Sequence, residues 1–195
     1  MPSPFRPFTS RYVVLPSENV DTDQIIPARF LTTTGSTGLG PHAFHDWRYL
    51  PDGASNPSFP LNAPAARGAR ILVAGRNFGC GSSREHAVWA LQGAGFDVVV
   101  SSQFADIFRG NALGNGLLPI EVSTRMLARL MDVAASSYLA SLAVDLETQT
   151  IQLPDGDVAT FPIAPFARHC LLEGIGEMDF LLGATSEISA FEDAG

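Results

Sequence analysis

The chain of 195 residues contains no lysine and only two cysteines, Cys80 and Cys170. With no lysine after its glycines, it has no phosphate-binding loop of the glycine–lysine kind. Two cysteines cannot by themselves build a structural zinc site or an iron–sulfur cluster. Positive charge is scarce. The 12 arginines face 20 acidic residues, a net charge of −8, which argues against nucleic acid and anionic membrane as partners. No apolar run approaches the length of a membrane span, and the opening MPSPFRPFTS carries no apolar core of a signal peptide. A cytoplasmic location is therefore expected. Charged residues make up 16% and apolar residues 46%, which suits one globular domain and leaves room for a buried partner face.

What is present centres on residues 70–95, RILVAGRNFGCGSSREHAVWALQGAG. Ile71, Leu72, Val73 and Ala74 read as a buried strand. A turn with glycines at 75, 79 and 81 follows, and then a helix carrying Ala87, Val88, Trp89, Ala90 and Leu91. Ser82 with Glu85 three residues later is the pattern of a capping box. The spacing places Ser82, Ser83 and the Arg84 guanidinium at the positive end of a helix, where free N–H groups favour an anion. The planar fork of Arg84 matches a carboxylate. Gly79 and Gly81 let backbone approach a ligand. The plainer reading of Ser82 is an N-cap and nothing more.

Other glycine-rich sites fail on spacing. Gly79-Cys80-Gly81-Ser82-Ser83-Arg84 lacks the third glycine of a dinucleotide fingerprint. Gly81-Ser82-Ser83-Arg84-Glu85 lacks the closing glycine of a hydrolase nucleophile elbow. In Asn19-Val20-Asp21-Thr22-Asp23, the Asp-x-Asp pattern has neither the glycine nor the closing glutamate of a calcium loop. Asp21 and Thr22 also suit a simple turn or cap. His42 and His45 are three apart with no third ligand type close by.

NFGCGSSREHA at residues 77–87, with NVDTDQIIPARFL at residues 19–31, resembles the small-subunit family of 3-isopropylmalate dehydratase, in the aconitase superfamily. FADIFRGNALGNGLLPI (104–120) and PFARHCLLEG (165–174) resemble it too, so the likeness runs from about residue 5 to 175. It implies a single domain over residues 1–195, the swivelling β/β/α fold of the fourth domain of aconitase, with a mixed sheet. The periodicity alone gives only mixed α/β.

Along the rest of the chain, strands are expected at 12–15, 70–75, 96–101 and 117–121, with a β-α-β unit around the central helix. A short helix at 104–112 is expected to end in a turn at 110–116. A helix covers 123–135, with Met126, Leu127, Leu130 and Met131 on one face. Leu142, Val144 and Leu146, then Ile151 and Leu153, alternate as strands. Residues 154–157 turn a hairpin into a strand at 158–163. Pro165 starts a last helix and Gly174 ends it, with Phe166, His169 and Cys170 facing in. Residues 31–68 read as a loop excursion around an aromatic patch at 44–50.

The resemblance implies a heteromeric hydro-lyase that interconverts 2-isopropylmalate and 3-isopropylmalate through the dehydrated alkene, in leucine biosynthesis. This chain would bind no cofactor. A large partner subunit would carry a [4Fe-4S] cluster that binds the substrate hydroxyl and a carboxylate of the small dicarboxylate. Ser82 matches the family's base, used as an alkoxide. Arg84 matches its carboxylate-binding arginine and Ser83 a second polar contact. Thr22 and Asp23 match a pair beside the catalytic serine, with Asp23 expected to orient Arg84 or the serines. Arg29 lies where a substrate arginine occurs. The resemblance also makes the excursion a lid, on which Leu31 and Leu39 are the apolar side chains able to meet an isopropyl group. The stretch after Gly174 departs from the family's pattern. A paralogous subunit for another 2-alkylmalate or a citrate-like acid is therefore one alternative. A non-catalytic carboxylate-binding module, needing no iron–sulfur partner, is another.

Overall fold

The computed structural model describes residues 3–31, 35–137, 140–176 and 180. The described residues form seven strands: β1 (Phe8–Leu15), β2 (Ile71–Ala74), β3 (Val98–Ser101), β4 (Leu118–Glu121), β5 (Ser141–Asp145), β6 (Thr150–Gln152) and β7 (Val158–Thr160). They make one mixed sheet in the order β4-β3-β2-β1-β5-β6-β7. The half from β4 to β1 is parallel, and the half from β1 to β7 is antiparallel. Every residue of β2 and β3 is buried, as apolar runs in a parallel sheet covered on both faces must be. In β5 only Leu142 and Val144 are buried, which is the alternation of a ribbon with one wet face.

Among the described residues there are six α-helices: α1 (Thr22–Ile25), α2 (His45–Arg48), α3 (Glu85–Gly93), α4 (Asp106–Gly114), α5 (Thr124–Ser136) and α6 (Pro165–Glu173). Alternate strand residues feed two cores. Leu72, Ala74 and Val99 pack with Ile25, Phe78, Leu91 and Phe108. Ile71, Val73, Val98 and Val100 pack with Leu127, Leu130, Leu142 and Leu171. Ser123 caps α5 by accepting from Met126 N at 3.2 Å, and Gly174 closes α6 in the left-handed region at φ 69°.

Several elements differ from the expectations. The excursion at 31–68 is mostly packed rather than loose. Leu39, Ala43, Phe44 and Phe59 belong to the core, with three short 3₁₀ turns beside α2. The aromatic cluster Phe44, Trp47 and Phe59 supplies enough buried area to order a segment whose Thr and Gly content points to a loop. Gly40 is pressed against α3: a Cβ there would lie 2.0 Å from Gly93 O. Residues 32–34 lie outside the described residues. Helix α4 continues through Gly110 to Gly114, where a turn is expected, because burial of Phe108 and Ala112 outweighs the roughly 1 kcal/mol cost of each helical glycine. Strand β7 stops at Thr160. On α6 Cys170 is buried, but Phe166 and His169 are exposed. Both pack edge-on to the ring of Phe180, with centroids 5.1 and 5.7 Å away. The stretch at 177–179 lies outside the described residues.

Candidate active site

Parallel pairing of β1, β2 and β3 brings the segments after them to one edge of the sheet, the carboxyl edge where α/β proteins bind ligands. The segment after β1 is 16–23, that after β2 is 75–84, and that after β3 is 102–106. They are laced together by backbone. Gly79 N and Cys80 N donate to Val20 O at 2.8 and 3.2 Å, and Thr22 N donates to Cys80 O at 2.9 Å. Phe78 N donates to Gln103 O at 3.1 Å. Asn77 Nδ2 donates to Asn19 Oδ1 at 2.9 Å. Asn19 and Asn77 both sit in the left-handed region, at φ 55° and 60°. That conformation is one asparagine tolerates better than most residues.

Five of the expected site residues, Thr22, Asp23, Ser82, Ser83 and Arg84, lie here. Thr22 is 2% exposed, and its Oγ1 donates to Ser82 O at 2.9 Å. Arg84 Nη1 is paired with Asp23 Oδ1. Thus Asp23 orients Arg84, and Thr22 pins the main chain of Ser82. The Arg84 side chain is only 17% exposed, so the guanidinium is held along the surface rather than free in water. Ser82 and Ser83 themselves are exposed. Asn111 Nδ2 lies 3.5 Å from Ser83 Oγ. Among the described residues, the N–H groups of Gly81, Ser82, Ser83 and Arg84 donate to no main-chain carbonyl. Such a row of open donors beside a guanidinium can hold a carboxylate and stabilise an oxyanion.

The capping box at Ser82 does not form. Helix α3 starts at Glu85, its N-cap is the extended Arg84, and no side chain caps it. Gly81 at φ 91° and the pull of Asp23 on Arg84 delay the helix past Ser82. The two-way box is on α1 instead: Gln24 N donates to Asp21 Oδ1 at 2.8 Å, and Asp21 N to Gln24 Oε1 at 2.9 Å. Ser82 is therefore released from a capping duty. Burial and the charge of Asp21 push the Cys80 thiol above its usual range, so it is a poor nucleophile at neutral pH. Its Sγ donates to Asn19 O at 3.3 Å.

The other expected site residues lie apart from this group. Arg29 pairs with Asp46, contacts His45 Nδ1 at 3.1 Å and lies over the Phe30 ring at 4.6 Å. The hydrogen bonds of Asp46 hold its carboxyl below the usual range, Arg29 contributing most and His45 less. Leu31 packs partly buried against the core. Leu39 is 3% exposed, so it is a core residue and not a side chain free to meet a substrate. Residue spacing gave no sign of Asn19 or Asn77, which contact each other only through the fold. Asn111 on α4 and Asn115 at its C-cap are i and i+4, a spacing that brings two amides to one side of the helix and could have marked them. Among the described residues, no three His, Cys, Asp or Glu gather as metal ligands.

A sheet of this order with a serine–arginine turn at its carboxyl edge has the make-up of an aconitase-type swivel domain. In accord with that class, residues 9–125 match the Aconitase C-terminal domain family and residues 128–165 match LeuD_N. The chain is 56% identical over 189 residues to the 3-isopropylmalate dehydratase small subunit of Anaeromyxobacter sp. (strain K), covering 97% of each. It is 53% identical over 191 residues to that of Roseiflexus castenholzii, covering 98% of this chain and 94% of the relative. The crystal structure of 3-isopropylmalate dehydratase from Methanocaldococcus jannaschii superposes with a TM-score of 0.68 at 28% identity, covering 95% of this chain and 99% of the other. The chain belongs to the family of 3-isopropylmalate dehydratase small subunits.

Proposed function

We propose that this chain supplies the base and one carboxylate-binding wall of a two-chain hydro-lyase acting on 3-isopropylmalate, and that a larger subunit completes the site. The observation that carries this reading is the convergence of Thr22, Asp23, Ser82 and Arg84 from two distant segments onto one row of open N–H groups. Arg84, oriented by Asp23, binds a substrate carboxylate through its fork. Ser82 Oγ removes the proton from the carbon beside a carboxylate. The electron pair left behind forms the double bond, and the hydroxyl on the neighbouring carbon leaves with a proton from the partner's side. Hydration in the other sense gives the isomer.

A serine hydroxyl is far too weak a base in water. Its anion needs the N–H row, the start of α3 and Arg84 around it, and it needs water kept away. In the isolated chain Ser82 is exposed, so the partner must furnish the wall. Two cysteines are too few to hold an iron–sulfur cluster by themselves. The [4Fe-4S] cluster belongs on the larger chain, where it would act as Lewis acid for the departing hydroxyl. Leu31, only partly buried against the core, is the side chain of the excursion left to meet the alkyl group.

The test is Ser82→Ala in the complex with the larger subunit. Turnover should fall by at least about a hundredfold, within the range of a lost general base. Stability should stay within about 0.5 kcal/mol, since Ser82 is exposed and caps nothing. A variant keeping more than about a tenth of wild-type kcat, a barrier change under about 1.4 kcal/mol, would show that the base is elsewhere. Arg84→Lys keeps the charge and loses the fork, so KM should rise; an unchanged KM would remove Arg84 from substrate binding.

A further inference from the structure

We infer that Asn115 is a positioning residue that holds the Glu85 carboxylate away from the anion turn, an inference that rests on the reading of that turn given above. Helix α3 begins with an acidic side chain at the end a substrate carboxylate would use. Ser82 and Glu85 have capping-box spacing, in which Glu85 would close on the N–H of Ser82. In the folded chain Glu85 Oε1 accepts instead from Asn115 Nδ2 at 3.4 Å.

The orientation of that amide is forced. Trp89 Nε1 donates to Asn115 Oδ1 at 2.7 Å. An indole nitrogen only donates, so Oδ1 must face it and Nδ2 must point the other way. There Nδ2 meets Asn111 O at 2.9 Å as well as Glu85. Gln92 Nε2 donates to Asn115 O at 2.7 Å and fixes the main chain. One residue at the end of α4 thus contacts three side chains along α3, while Asn111 one turn earlier reaches Ser83.

Released from Asn115, Glu85 would be drawn to the open N–H groups of 81–84 and to the guanidinium of Arg84 next to it. It would then stand where the substrate carboxylate stands. Because it is tethered, its effective concentration there would be in the millimolar range or above, enough to compete with a metabolite. With the backbone already extended at Arg84, Asn115 keeps the Glu85 side chain off that turn.

The experiment is steady-state kinetics of the complex with the larger subunit, using 3-isopropylmalate. Asn115→Asp is isosteric and keeps the acceptor for Trp89, but it turns a carboxylate toward Glu85. KM should rise about tenfold while kcat stays within about threefold, the scale of one charge-assisted hydrogen bond. The double variant Glu85→Gln/Asn115→Asp should return KM to within about threefold of wild type, because the glutamine can donate to the new carboxylate and no longer competes. A purely structural Asn115 would lower thermal stability and kcat, and Glu85→Gln would rescue neither. An unchanged KM in Asn115→Asp, or a double variant no better than the single, overturns the inference. Should Asn115→Asp fail to fold, Asn115→Ala must show the same rise in KM and the same relief by Glu85→Gln. In the free subunit, the side-chain amide signals of Asn115 in a nitrogen–proton correlation spectrum should move on Glu85→Gln; unmoved signals overturn the contact. An inert wild-type complex would sink the functional reading instead, and the amide signals would still decide the Glu85 contact.

Discussion

Gly79→Ala should unsettle the site through packing alone. Gly79 has φ 78°, and a Cβ built on it would lie 2.2 Å from Phe108 Cγ and 2.5 Å from Phe108 Cβ. Phe108 is 1% exposed and stacks with Phe104 and edge-on to Phe78, so it has no room to retreat. The left-handed backbone costs an alanine about 1–2 kcal/mol. Overpacking against a buried ring adds about 1–3 kcal/mol. Together these predict a loss of about 2–5 kcal/mol. For a domain of this size that is a fall in Tm of about 5–15 °C. Thermal unfolding of the isolated subunit, followed by circular dichroism, measures it. A double-mutant cycle with Phe108→Ala separates the terms. The ring deletion itself costs about 3–5 kcal/mol, but it removes the clash, so the pair should be less destabilised than the sum by about 1 kcal/mol or more. A Gly79→Ala variant within about 2 °C of wild type, or an additive cycle, would refute the close approach of α4 to the turn. The same variant should lose activity beyond its loss of folded protein, because Gly79 N and Cys80 N anchor the turn to Val20 O.

Tyr12 is 7% exposed, donates to Leu130 O at 2.8 Å, and has its pKa raised to about 12 by burial and then by Asp155. The unfolded phenol ionises near pH 10. Between about pH 10 and 12 the folded state therefore holds the extra proton, and stability falls with rising pH by up to about 2–3 kcal/mol. Below pH 10 this group contributes no pH dependence. Chemical denaturation across that window should show the fall, with the part of the tyrosinate absorbance that Tyr12→Phe removes appearing only on unfolding, and Tyr12→Phe should flatten the fall. Leu39→Ala should cost about 2–5 kcal/mol as a core deletion, without changing substrate preference. Leu31→Ala should shift kcat/KM toward a methyl-substituted malate, by no more than the ~1–3 kcal/mol that a hydrophobic pocket reads per methylene. Equal losses on both substrates would assign the alkyl group to the larger subunit.

The chain's local signals were strong where one physical term dominates. Ile71–Ala74 and Val98–Ser101 are apolar runs too short for a helix and too continuous for an exposed strand, so a buried parallel sheet was legible. The turn itself was legible because Gly79 and Gly81 separate a strand pattern from a helix pattern, and both take positive φ. Pro165 and Gly174 marked the ends of α6 for reasons internal to the backbone. Other features depend on long-range contact. Ser82 and Glu85 satisfy the local rule for a capping box, yet Arg84 is paired with Asp23, 61 residues away, and Glu85 turns to Asn115, 30 residues away. The glycines of α4 read as a turn, because their helical cost is local while the burial of Phe108 and Ala112 that repays it is not. Leu39 on a Thr- and Gly-rich stretch read as free, and only the approach of Gly40 to Gly93 places it in the core. The residue types at the site were thus fixed by local chemistry. Their assembly was decided by strand pairing, because β1 and β2 are neighbours in space with some fifty residues of chain between them.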